Sequence, residues 1–190
     1  KSRLARDIGA VAATAWYRKT ATDLVRRLAR DRRWRTYVAV TPDAAVQAAA
    51  WRQVFGAAVP RIAQGSGDLG DRMGRVFARM PPGPVVIVGT DCPDLSCDDI
   101  AAAFDALGPH DAVFGPAADG GYWLIGLRRV PRAPIPFADV RWSTAHALDD
   151  TLRNLDDHAV ALLPVRVDID TGDDWQRWRN SRRDAPSAAA

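Results

Sequence analysis

The feature that most constrains this chain is the run Pro84-Val85-Val86-Ile87-Val88-Gly89, β-branched throughout its middle and free of polar alternation. A strand with one wet face alternates, so an unbroken apolar run predicts a strand covered on both faces, in the interior of an α/β sheet. Helices must then flank the sheet, and the rest of the chain supplies them. Val11, Ala15, Ala21, Leu24, Val25 and Leu28 recur at helical spacing and predict an amphipathic helix from Ile8 to about Arg30. Trp34 to Val40 reads as a strand, stopped by Thr41-Pro42-Asp43, where Thr41 or Asp43 can cap a helix running through Val54. Val59 to Ala63 reads as a short strand, followed by a Gly-containing loop from Gln64 to Asp68 and a helix from Leu69 to Met80 that Pro81-Pro82-Gly83 closes.

Further along, Asp98 to Leu107 is helical and Asp111 to Gly115 and Gly121 to Leu127 are strands. The loop between those strands is too short for a parallel crossover, so the pair belongs in a mixed sheet. Thr144 to Asp156 is helical, Ala159 to Leu163 is extended, and a last helix begins at Asp173. This alternation predicts a three-layer α/β/α sandwich with a mostly parallel mixed sheet. At 190 residues the chain has the size of one domain, which we assign to residues 1–181, with 182–190 as a polar, Ala-rich tail.

Composition excludes several classes. No apolar run reaches the roughly 18 residues that a membrane span needs, and the N-terminus has no signal-like succession. Cys92 and Cys97 are too few for a disulfide scaffold, and their spacing suits neither a zinc knuckle nor a redox pair, which leaves a reducing cytoplasm as the expectation. His110, His146 and His158 have no spacing that makes a zinc site or a catalytic triad. The net charge of +3, from 26 basic and 23 acidic residues, names no partner. The arginines from Arg26 to Arg35 lack a recognisable reader motif and read as a solvated helix face, which argues against nucleic acid as a partner, as the absence of a span argues against a membrane.

In an α/β sheet, ligands gather at the carboxyl ends of the strands. Past the apolar run stands Gly89-Thr90-Asp91-Cys92-Pro93-Asp94-Leu95, which puts Asp91 at a strand mouth, where a carboxylate can hold a divalent cation. Past the next strand stands Gly115-Pro116-Ala117-Ala118-Asp119-Gly120-Gly121, a second carboxylate backed by two glycines that permit close backbone approach. Asp168, Asp170, Asp173 and Asp174 crowd around Thr171-Gly172 and repel one another unless a cation or a helix N-terminus balances them. Singly, each aspartate also fits a cap or a turn. Jointly, three acidic loops on one rim are what a magnesium site shared with phosphates requires. Cys92 reads as a small buried residue in a tight turn, and Trp123 and Trp142 as core residues that can alternatively stack on a base or sugar.

The blocks GTDCPDL, GPAADGGYWLIGL, WST at Trp142 to Thr144, and DIDTGDDW resemble, in order, the motifs of glycosyltransferase-A-like proteins related to 2-phospholactate guanylyltransferase, in the nucleotide-diphospho-sugar transferase superfamily. The likeness extends to Lys1-Ser2-Arg3-Leu4-Ala5 and to QGSGDLGDRM at Gln64 to Met73, and so spans nearly the whole chain. It implies a metal-dependent transferase using Mg²⁺ or Mn²⁺, with Asp91 at the metal-binding position and Asp168 or Asp170 supplying a further metal contact. Asp119, with Gly120 and Gly121, would line the acceptor or sugar side, Asp119 being the candidate general base. Lys1 and Arg3 would bind phosphates, Gly65 and Gly67 would free backbone N–H groups for them, and Arg72 would face an anion. The expected partners are a nucleotide or nucleotide-sugar and a small-molecule acceptor. Glycosyl transfer leads, nucleotidyl transfer to a phosphorylated small molecule is the alternative, and a non-catalytic nucleotide-binding protein is the rival of another class. Relatives place a central strand before the segment matching Lys1 to Ala5, so the expectation is a chain extending upstream, a strand-wide gap in the sheet, and Lys1 at the rim near Asp91.

Overall fold

The computed structural model describes residues 2–49, 54–55, 58–130 and 134–184. Two helices open the described chain, α1 (Ser2–Ile8) and α2 (Ala10–Arg30), where one helix from Ile8 was expected. Gly9 separates them at φ +86°, a backbone state that a helix interior does not contain. The buried stripe of α2 is Ala13, Thr20, Ala21, Leu24, Val25 and Leu28, whereas Val11 is 85% exposed and Ala15 also faces outward.

A two-stranded parallel sheet follows, β1 (Val38–Val40) with β2 (Arg61–Ala63), shorter than the expected strands. Trp34 leaves the strand to stack on Phe104, with its indole N–H donating to Leu28 O at 3.0 Å. The helix expected from Asp43 through Val54 is instead a 3-10 turn, Asp43–Gln47, after which Ala48 is extended. The carboxylate that was to cap it accepts from Gly65 N–H at 2.9 Å, so the helix start has no side-chain cap. The remainder of that expected helix falls largely on residues 50–53, outside the described residues.

Next come α3 (Leu69–Arg79), β3 (Val85–Val88), α4 (Cys97–Ala106), β4 (Ala112–Pro116), β5 (Tyr122–Leu127), α5 (Ala147–Arg153), β6 (Val160–Leu162) and α6 (Gly172–Asp184). Asp68 caps α3 and Ser96 caps α4, each through a reciprocal box with the aspartate three residues on. Helix α6 continues through Asp184, so the tail assigned to 182–190 is helical at its start, and 185–190 lie outside the described residues.

Strands β3, β5, β4 and β6 form the main sheet in that order. It is mixed and not mostly parallel. The short Ala117–Gly121 turn forces β5 antiparallel to β4, and β5 then lies between β3 and β4, so both of its ladders are antiparallel and only β4–β6 is parallel. Among the described residues the β1–β2 pair shares no ladder with this sheet and β3 stands at an edge, half-buried, although the apolar run was expected in the interior. Helices do cover both faces. Leu24, Leu28, Ile100, Ala103 and Leu107 pack with Val113 and Leu124 on one side, and Met73, Phe77 and Leu155 pack with Phe114, Ile125 and Leu127 on the other.

Candidate active site

Three segments converge beyond the ends of β3 and β4. Gly89 extends the β3 ladder by donating to Trp123 O at 3.0 Å, and the chain then turns through Thr90 to Asp94. Helix α2 holds this loop from outside: the Tyr17 and Thr90 hydroxyls are 2.8 Å apart, and Arg27 donates to Pro93 O at 3.0 Å. Buried Cys92 and Leu95 anchor it from within, which fits the reading of Cys92 as a packing residue.

The second segment is the turn after β4. Gly121 N–H donates to Asp119 Oδ1 at 2.9 Å, and Gly120 N–H donates to Ala117 O at 3.1 Å, so Oδ2 of Asp119 is the carboxylate oxygen that this turn does not use. Gly120 sits at φ +86° with its Cα face against Ala145, and its carbonyl accepts from Leu148 N–H at 3.0 Å. The two glycines therefore shape the turn behind Asp119.

The third segment leaves β6 and runs beside the end of β4. Arg166 N–H donates to Pro116 O at 3.0 Å and Ala118 N–H to Arg166 O at 2.9 Å. The chain then crosses to the first loop, where Ile169 N–H meets Asp91 O at 3.4 Å, and enters α6. Thr171 and Asp174 cap that helix reciprocally, the Thr171 hydroxyl donating to Asp174 Oδ2 at 2.7 Å and Asp174 N–H returning to Thr171 Oγ1 at 3.2 Å. Asp7 of α1 accepts from Gly172 N–H at 2.7 Å and so ties α1 to the start of α6.

Between these segments lies a cleft of about 870 Å³ whose wall includes Arg3, Asp94, Asp119, Asp168, Asp170 and Trp178. Of the residues expected at the site, Arg3, Asp119, Asp168 and Asp170 line the cleft, whereas Asp91, Gly120 and Gly121 do not; Asp91 is tied to the wall by its carbonyl, which accepts from Ile169 N–H. Lys1 lies outside the described residues. Gly65, Gly67 and Arg72 are not on the cleft wall. Their groups bond elsewhere in the protein instead: Gly65 N–H donates to Asp43 in the 3-10 turn, and Arg72 Nε donates to Gly67 O at 3.0 Å. Trp123 is a core residue, buried with its N–H toward Pro164 O at 3.3 Å, and half-buried Trp142 packs against the core near Phe137 and Tyr122. Burial pushes the Tyr122 phenol well above its ordinary range.

Among the described residues, five carboxylates line the cleft, Asp94, Asp119, Asp168, Asp170 and Asp174, with the guanidinium groups of Arg3, Arg166 and Arg177. Two of those cations are already paired, Arg166 with Asp99 and Arg177 with Asp174, each at 2.5 Å. Burial raises the Asp174 carboxyl, but hydrogen bonds from Thr171 and Arg177 outweigh it and hold the group below its usual range.

Among the described residues no three His, Cys, Asp or Glu side chains stand close enough to form a protein cage for a metal. The available donors are hard carboxylate oxygens, and they fit Mg²⁺ or Mn²⁺ held by one or two aspartates with ligand oxygens completing the shell. Sequence reasoning missed Trp178, Arg166 and Asp7. For Trp178 a signal exists, since Asp174, Arg177, Trp178 and Ser181 fall on one stripe of α6 and all line the cleft. For Arg166 the signal is a lone arginine inside an extended apolar stretch.

In architecture the chain is an α/β protein that resembles the nucleotide-diphospho-sugar transferase fold, with an acidic cleft at the strand ends. Residues 24–144 match the family described as "Uncharacterized protein conserved in bacteria (DUF2064)", and the chain belongs to that family. A solved structure of a candidate nucleotide-diphospho-sugar transferase from Desulfovibrio desulfuricans G20 is 29% identical, with a TM-score of 0.86 over 97% of this chain and 81% of that one. The manganese complex of Rv0371c from Mycobacterium tuberculosis H37Rv is 18% identical, with a TM-score of 0.53 over 85% of this chain and 84% of that one. Molybdopterin-guanine dinucleotide biosynthesis protein A from Archaeoglobus fulgidus is 13% identical, with a TM-score of 0.53 over 82% and 83%. The last two are likenesses of fold alone. No curated protein matches the chain significantly. No helix among the described residues is long and apolar enough to cross a membrane.

Proposed function

We propose that the cleft is the active site of a metal-dependent transferase that takes its donor from a nucleoside-diphosphate sugar. The observation that carries this reading is the convergence of Arg3, Asp119, Asp168 and Asp170 on one cleft, with the Asp91 loop bonded to its wall. The likeness to the Desulfovibrio structure supports the donor class. Asp91, with Asp168 or Asp170, would hold the Mg²⁺ or Mn²⁺, which when bound offsets negative charge on pyrophosphate oxygens.

The protein's own part is positioning and electrostatics. Arg3, exposed on the cleft wall, offers a planar fork to phosphate oxygens. Asp119, fixed through Oδ1 by the Gly121 amide, presents Oδ2 to accept the proton of an acceptor hydroxyl. The aspartate loops stay apart because each is held by a different support: α2 behind the first, Ala145 behind the second, the α6 cap behind the third.

Incubating the protein with Mn²⁺ and, separately, nucleoside-diphosphate sugars and nucleoside triphosphates tests the reading. Release of free nucleoside diphosphate from a sugar donor is the expected result. Release of pyrophosphate from a triphosphate would replace glycosyl transfer with nucleotidyl transfer. Tight nucleotide binding with no product under any acceptor would make this a non-catalytic binding protein.

A further inference from the structure

The segment between β6 and α6 carries Asp168 and Asp170, yet little apolar burial holds it. Val165 and Val167 are 64% and 61% exposed, and its pairing with the end of β4 is a single parallel bridge, Ala117 to Arg166. Between half-buried Leu163 and buried Ile169, Arg166 is half-buried and makes directed side-chain contacts. Its guanidinium donates to Asp99 Oδ1 at 2.5 Å and lies 5.3 Å from the centre of the Trp123 ring.

Both partners belong to other parts of the site. Asp99 is the capping-box aspartate of α4, the helix that follows the Asp91 loop, and its Oδ2 accepts from Ser96 N–H at 2.7 Å and from the Ser96 hydroxyl at 2.8 Å. One carboxylate thus serves the helix cap with one oxygen and Arg166 with the other. Burial pushes Asp99 up, while the bonds from Ser96 and Arg166 hold it below its ordinary range, so it is an anion facing a cation. Trp123, on β5, lies over Gly115 near the end of β4, where a Cβ would stand 2.7 Å from the indole Cδ2, and its N–H donates to Pro164 O at 3.3 Å. The Arg166 main chain meanwhile bonds both Pro116 and Ala118, immediately before Asp119.

We infer that Arg166 is a positioning residue that locks the three acidic loops to one another: through Asp99 to the helix after Asp91, through its main chain to the Asp119 turn, and along its own segment to Asp168 and Asp170. It acts by fixing where the carboxylates stand. The inference rests on the cleft being the transferase site, and its test separates the two claims.

The experiment uses the full chain and the variants Arg166→Met, Asp99→Asn, their double, and Arg166→Lys. Amide hydrogen exchange is the first readout. In Arg166→Met, the Ala118 and Ile169 amides should exchange at least about tenfold faster, while the β4–β5 ladder stays within about twofold of wild type. Arg166→Lys, which keeps a cation facing Asp99, should recover most of that protection. Titration with Mn²⁺ alone, followed by electron paramagnetic resonance, is the second. Arg166→Met and Asp99→Asn should each weaken binding by about tenfold, and the double variant should be no worse than either alone, because both act through one pair. Unchanged exchange at Ala118 and Ile169, a uniform rise over the whole ladder, or additive losses in the double variant would overturn the assignment. If the wild type binds no Mn²⁺, the metal-dependent reading fails, and the exchange pattern still decides the role of Arg166.

Discussion

Replacing Gly120 by alanine isolates the turn that presents Asp119. At φ +86° a residue with a Cβ sits in a sparsely populated region, at about 1–3 kcal/mol. The added methyl would also stand 2.6 Å from the Cα and carbonyl carbon of Ala145, and closer still to its oxygen. These are backbone atoms, so no rotamer change relieves the contact, and overpacking adds about 1–3 kcal/mol more. The sum, about 2–6 kcal/mol, corresponds to about 4–24 °C in melting temperature for a domain of this size. Gly121 is the internal control. It lies outside the positive-φ region, and a Cβ there meets the Asp119 carboxylate at 3.1 Å, a side-chain end that can shift. Gly121→Ala should therefore stay within about 1 kcal/mol of wild type. Thermal melts of both variants without ligand, in one buffer at neutral pH, make the comparison. A Gly120→Ala protein melting within about 2 °C of wild type, or a Gly121→Ala protein that is the less stable of the two, would refute the turn geometry.

Two further outcomes follow from charged groups. Asp150 is buried, accepts from Arg141 Nε and Nη2 at 2.8 Å each and also pairs with Arg153; the Arg141 bonds hold its carboxyl far below the ordinary range. Its folded-state value is depressed, so its stabilisation is complete above the unfolded value of about 4 and is lost as pH falls toward the folded one. The gap in melting temperature between wild type and Asp150→Asn should thus be full above about pH 5 and narrow below about pH 4; a gap that widens on acidification would contradict the pairing. Arg3→Gln should leave the melting temperature unchanged, because the side chain is exposed, while weakening nucleoside-diphosphate binding about tenfold. Calorimetric titration showing undiminished affinity would remove Arg3 from the site.

Much of the fold is legible in local pattern. Capping boxes at Asp68 and Ser96 mark their helix starts within a residue, and the short Ala117–Gly121 turn dictates the antiparallel β4–β5 pair. What local pattern does not carry is which strands become neighbours. The Val85–Val88 run reads as interior, yet β5 pairs with only one of its edges, a long-range choice that no period in the run encodes. Asp43 reads as a cap and bonds Gly65 across 22 positions, which only the packed chain reveals. The site behaves the same way. Asp119, Asp168 and Asp170 announce themselves as carboxylates at strand ends, while Arg166, Asp7 and Trp178 act through partners 67, 165 and 84 positions away.

The central claim is that the Asp91 loop and the cleft bind a nucleotide through a divalent cation. Titration calorimetry of the common nucleoside diphosphates, with Mn²⁺ and with chelator, on wild type and Asp91→Asn, tests it most directly. The asparagine keeps size and capping ability but removes the charge that attracts a dication. At least one diphosphate should bind the wild type only with Mn²⁺, and Asp91→Asn should lose about tenfold or more in affinity while its melting temperature holds. Full-strength binding that survives both the chelator and Asp91→Asn, or no diphosphate binding to the wild type under either condition, would contradict the account.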